Sequence, residues 1–232
     1  MLATTARRLD AGLVTAAVLL TGAFFLAPSA LGPDRNDDFP RAFAAYWSAG
    51  VRGFPPDLQH LVDHQFRFHL VRVLIAAPLL AVLVALAVRL RRFRLPIGAL
   101  ALVLAAVLIE NVQGFVSPFG TLLPVLVSGP ARSDLAAVLA QIRDQVAHGP
   151  ASPALTVMLD EYVRWHVVKA VLSGVLAVVL IGLSVALWRG RRRWYSVLTA
   201  VPAAALLLVV VANVGTVADP RPGFLLLLQG SW

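Results

Sequence analysis

Cysteine is absent from the 232 residues, so disulfides, thiolate nucleophiles and cysteine-ligated metal sites are excluded. Charge is scarce too. Only 14% of residues are charged, and Lys169 is the single lysine among twenty cations. No nucleophile, base and orienting group occur together, and no glycine-rich phosphate loop follows a strand pattern, so no enzyme is indicated. The arginine clusters lack interleaved aromatics on a folded face, which argues against nucleic acid as the partner of the +8 net charge.

What remains is apolar. Hydrophobic residues make up 59% and mean hydropathy is +0.81, more apolar surface than a soluble domain of this length can cover. Five runs reach the length a bilayer requires, at Ala11 to Leu31, Leu70 to Val88, Pro96 to Val116, Ala170 to Trp188 and Val197 to Val217. The expected fold is therefore an all-α integral membrane protein with five transmembrane helices and extracytoplasmic amphipathic helices.

Orientation follows from the arginines. Arg7 and Arg8 precede the first run, and Arg89-Leu-Arg91-Arg92-Phe-Arg94 and Arg189-Gly-Arg191-Arg192-Arg193 form short hairpins. These segments hold ten arginines and one acid, Asp10, a net of +9, whereas the rest holds ten cations and eleven acids, a net of −1. The positive-inside rule places the N-terminus and both hairpins in the cytoplasm, and 32–66, 118–163 and the C-terminus outside. The first run reads as an uncleaved anchor, although Arg7-Arg8 and the small residues from Ala27 to Ala30 also fit a secretory signal.

The chain carries an internal repeat. Asp63, Arg67, His69 and Arg72 recur as Asp160, Arg164, His166 and Lys169 at an offset of 97, and Pro56 and Leu58 as Pro153 and Leu155. Asn111-Val112 with Pro118 matches Asn213-Val214 with Pro220. The division expected is 1–31 as anchor, 32–118 as repeat 1, 119–220 as repeat 2 and 221–232 as an outer tail, each repeat adding outer helices to two spans. In the outer loops, Phe43, Tyr46 and Trp47 mark a short segment that Gly50 and Gly53 break, and Pro56 opens a helix running into span two. Ser133-Asp134 caps a helix carrying Leu135, Val138, Leu139, Ile142 and Val146, and Ser152-Pro153 starts another that continues into span four.

This order of outer helix, Arg-aromatic-His before a span, basic hairpin and Asn-Val resembles a family of uncharacterised actinobacterial multi-pass membrane proteins, often labelled as carrying a twin-arginine signal. The resemblance covers about Phe39 to Pro220. It implies an actinobacterial cell membrane and supplies no catalytic or binding residues.

Candidate chemistry lies at the outer boundary. Asp63 with Arg67, and Asp160 with Arg164, are spaced to pair along one helix face. Glu110 is the only acid within reach of hydrocarbon, and Arg72 lies at similar depth, so a Glu110–Arg72 clasp is expected, with Lys169 as competing partner. The same cluster, with Asn111 and Asn213, is the candidate ion site of a small transporter or channel. Asn111 and Asn213 read more simply as cross-links at span ends. His69 and His166 are matched, which opens the alternative of a redox subunit binding haem b through two imidazoles; both also read as hydrogen-bonded interfacial residues. His60 and His64, four apart, have metal-ligand spacing without a third ligand, and no metal is assigned. The leading reading is a non-catalytic cell-envelope or accessory component, without cofactor, whose outer helices contact a protein partner.

Overall fold

The computed structural model describes residues 2–33, 36–128 and 133–230. Ten α-helices are described: α1 Leu2–Leu26, α2 Phe39–Ala49, α3 Pro56–Arg89, α4 Arg94–Val116, α5 Pro118–Leu122, α6 Val125–Ser128, α7 Ser133–His148, α8 Pro153–Arg189, α9 Arg193–Ala218 and α10 Pro220–Leu228. No strand occurs among the described residues. Five segments are long and apolar enough to cross a membrane: Arg7–Leu31, Pro56–Arg89, Arg91–Val116, Pro153–Arg189 and Arg193–Ala218. The protein is a multi-pass, all-α membrane protein. Large apolar side chains such as Val18, Leu74, Val103, Val178 and Leu208 are exposed along these spans, as lipid-facing surfaces require.

Two compact units are distinguishable. One contains α1 and His64–Phe115. Within it, Arg89 Nε donates to Asp10 Oδ1 at 2.5 Å, and the Arg72 guanidinium lies 5.0 Å from the Phe24 ring. The contacts fix α1 antiparallel to α3 at two levels. Asp10, the lone acid of the basic segments, thus sits beside the arginine hairpin. Helices α3 and α4 are joined near the hairpin by Arg94 Nε to the Ala87 carbonyl at 3.3 Å, and at their far ends by His69 and Asn111.

The other unit holds residues 36–63 and those from Val116 onward. Its spans α8 and α9 meet through small side chains, Ala170, Ser173 and Ala177 from α8 and Ser196 and Ala203 from α9. Small residues are what close approach of apolar helices needs, because lipid tails compete equally for larger ones. Near the turn, Ser184 and Ser196 exchange hydrogen bonds of 2.8 to 2.9 Å. Arg191 closes that turn with φ 60°, the single non-glycine residue of positive φ among those described.

Around the other ends of α8 and α9 the remaining helices build a cap with its own apolar core. Phe39, Phe43 and Tyr46 of α2, Leu58 at the start of α3, Phe119 and Leu122 of α5, Ile142 of α7, Met158 of α8 and Phe224 and Leu228 of α10 are all buried in it. Gly50, at φ 64°, ends α2 in the left-handed conformation that glycine adopts without strain. Ser152 caps α8 by accepting from the Leu155 amide at 3.3 Å, and α8 then runs unbroken for 37 residues. Helix α7 begins at Ser133; the side chains of the expected Ser133-Asp134 cap lie outside the described residues. Trp47 Nε1 donates to Gln141 Oε1 at 3.0 Å between α2 and α7, and Arg143 donates to the Leu228 carbonyl that ends α10.

The cap draws in more of the chain than the outer helices expected from the sequence. Residues 118–128 contribute the short helices α5 and α6, and the tail from Pro220 folds back as α10 into the core. The apolar faces of α2 and α7 are buried in the protein's own core. Burial raises the Tyr46 phenol above its usual pKa, against a smaller lowering by Arg52. Its neutral form is therefore favoured by folding, and that contribution, complete below about pH 10, is lost as pH rises through the folded value.

Candidate functional site

The same polar arrangement occurs once in each unit. In the first, Asn111 Nδ2 donates to the Val107 carbonyl at 2.7 Å, one turn back on α4, and its Oδ1 lies 3.1 Å from His69 Nδ1. In the second, Asn213 Nδ2 donates to the Val209 carbonyl at 2.7 Å and its Oδ1 lies 2.7 Å from His166 Nδ1. Both asparagines are buried.

This geometry settles proton placement. An amide nitrogen must face the carbonyl, because two oxygens there would repel, so the amide oxygen faces the imidazole as an acceptor. Nδ1 must then carry the proton. In the neutral ring Nε2 keeps the lone pair, the orientation in which histidine ligates metals through Nε2. His166 Nε2 is buried without a hydrogen-bond partner among the described residues. The Tyr162 ring stands edge-on to it, with centroids 4.4 Å apart.

The two copies differ in their support. In the first, the His69 ring lies directly on Gly114, where an added Cβ would fall 2.3 Å from Cδ2 and 2.4 Å from Nε2. The residue at the matched place in the second, three beyond Asn213, is Thr216. Gly114 was not singled out from the sequence; its signal was the Asn-x-x-Gly spacing on α4, which has meaning only once His69 is known to cross there.

Arg72 and Lys169 both lie against aromatic rings. The Arg72 guanidinium lies over the rings of Phe68 at 4.3 Å and Phe24 at 5.0 Å, so it faces α1. The reason is helical phase. Phe68 is one turn before Arg72 on the same face of α3, and Phe24 of α1 closes that face. Glu110 is exposed, and both it and Arg72 act electrostatically on His69. Lys169 Nζ lies 4.7 Å from the Trp165 ring.

The expected pair of Asp160 and Arg164 is replaced. Arg164 donates to Glu161 Oε1 at 2.6 Å, while Asp160 faces Arg52 at 3.8 Å. Asp63 accepts from Gln59 Nε2 at 2.7 Å. Glu161 is fixed further by Ser117, whose hydroxyl lies 2.7 Å from its carboxylate and 2.9 Å from its carbonyl. Ser117 is wholly buried, and this link joins the start of α5 to α8. No group of three or more histidine, aspartate or glutamate side chains suited to a metal is present among the described residues. No match to the chain is found among protein-family models, curated proteins or solved structures.

Proposed function

We propose that this is a non-catalytic component of the cell membrane, inserted with its N-terminus and arginine hairpins in the cytoplasm, whose folded cap is an extracytoplasmic docking platform for another envelope protein. The observation that supports it is the cap itself. Helices from 39–62, 119–158 and 224–228 share one apolar core, more construction than connecting four span ends demands. Because that core occupies the apolar faces, the docking surface is the charged exterior, carrying Arg41, Asp57, His60, Asp144 and His148. A polar surface suits a reversible partner rather than an obligate one.

The missing cysteines make the test clean. A membrane-impermeant maleimide added to intact cells should label Asp144→Cys and spare Arg192→Cys. A cross-linker carried at Asp144→Cys should then join one specific envelope protein, and charge reversal at Arg41 and Asp57 should abolish the product. Labelling at Arg192→Cys instead, or a product indifferent to the charge reversal, would overturn the proposal.

A second reading, a redox subunit binding haem b, draws on the buried Nε2 lone pair that Asn213 imposes on His166. It requires a Soret band in the purified protein that His166→Phe removes. The repeated histidine and asparagine pairs also accord with an origin by duplication, each unit keeping one inherited clamp between its spans.

A further inference from the structure

Arg72 occupies an unusual setting. Its Nε is buried without an acceptor among the described residues, and its guanidinium is held over two phenyl rings. Rings stabilise the charge but accept hydrogen bonds only weakly, so the buried Nε stays unsatisfied. Such a cation at the edge of hydrocarbon is costly unless an anionic acceptor meets it.

Beside it opens a groove of about 490 Å³ lined by Phe25, Pro28, Ser29, His64, Phe68 and Arg72. Depth identifies the setting. The Asp10–Arg89 ion pair marks the hairpin end of this unit. Arg72 precedes Arg89 by seventeen residues on one continuous helix, which is about 25 Å at 1.5 Å per residue. With a hydrocarbon core of about 30 Å, Arg72 lies at the boundary of the opposite leaflet, where phospholipid phosphates begin.

The composition of the groove runs in the same direction. Arg72 and His64 supply donors at one side, while Phe25, Pro28 and Phe68 give apolar walls, and no carboxylate among the described residues lines the groove. A guanidinium fork matches two phosphate oxygens at once. We propose that this groove binds the phosphodiester of a membrane phospholipid in the leaflet opposite the arginine hairpin. Arg72 donates to the phosphate, His64 stands at its rim, and Phe25 and Phe68 cover the first methylenes of the chains.

The test uses the full-length protein in detergent, with dioleoylphosphatidylglycerol as probe and dioleoylglycerol, the same chains without phosphate, as control. Native mass spectrometry should show one phosphatidylglycerol retained under activation that strips annular detergent, with dioleoylglycerol lost. Arg72→Gln should lower retention about tenfold or more, as expected for loss of a charge-assisted pair, while Arg91→Gln on the hairpin should not. Equal retention of the two lipids, wild-type retention by Arg72→Gln, or an equal loss in Arg91→Gln would each overturn the site. Displacement by millimolar inorganic phosphate would identify a soluble anion and overturn the assignment to lipid. If Arg72→Gln fails to fold, the comparison of the two lipids on the unaltered protein decides alone.

Discussion

Phe119→Ala should unfold the cap while leaving the spans helical. Phe119 is 1% exposed, and its ring meets those of Phe54 at 4.7 Å, Phe39 and Tyr46 at 6.1 Å and Phe43 at 6.5 Å. Removing a buried phenyl costs about 3 to 5 kcal/mol through lost transfer energy and the cavity left behind. That is comparable with the stability of a small domain. The expected readouts are rapid hydrogen exchange in α2 and α7 and proteolysis within 36–62, with most far-ultraviolet helical signal retained. Leu226→Ala, at a side chain 50% exposed, is the comparison and should change little. Equal exchange protection in the two variants would show that Phe119 is not the centre of the core.

Gly114→Ala should be the most damaging small change within a span. The added methyl would lie 2.3 Å from the His69 ring, and the ring cannot turn aside without releasing Asn111. Overpacking costs about 1 to 3 kcal/mol, and a broken buried hydrogen bond adds about 1 kcal/mol. Gly215→Ala, where nothing lies within 4 Å, should be neutral or slightly stabilising because alanine favours helix over glycine. The double change His69→Ala with Gly114→Ala should be less harmful than the two single losses added together, since the methyl then enters the space of the ring. Additive losses in detergent melts would show that the two residues do not touch.

The pairing of His69 with Gly114 also shows where sequence reading stops. Five spans, both basic hairpins, the start of α3 at Pro56 and of α8 at Pro153 were legible, because composition and proline position act locally. A run of apolar residues reports its need for lipid without reference to anything distant. Proline likewise opens a helix by its own missing amide hydrogen. Matched His69 and His166 and matched Asn111 and Asn213 were legible as positions, but not as bonded pairs, since the bonds cross between helices.

The cap was the larger omission. Its aromatic residues were visible at Phe43, Tyr46 and Trp47, yet the apolar stretch at 118–128 is too short for a span and the tail after Pro220 looked like an end. Pro118 and Pro220 open helices locally, but that signal alone does not hold such short segments. Helices α5, α6 and α10, of 5, 4 and 9 residues, are too short to persist alone in water. They form because Phe119, Leu122, Leu126, Phe224 and Leu228 are buried together with residues far away in the chain.

Ion pairing divided in the same manner. Sequence spacing offered Arg164 to Asp160, whereas the structure gave Arg164 to Glu161 and Asp160 to Arg52. Spacing along a helix sets which side chains are within reach, but helical phase and the neighbouring helix select among them. By itself the sequence determined the class of the protein, its five spans and the sites of its hairpins, all consequences of transfer between water and lipid summed over contiguous residues. Only the tertiary structure decided the cap core, the histidine clamps and the setting of Arg72, because each depends on a contact between residues remote in the chain.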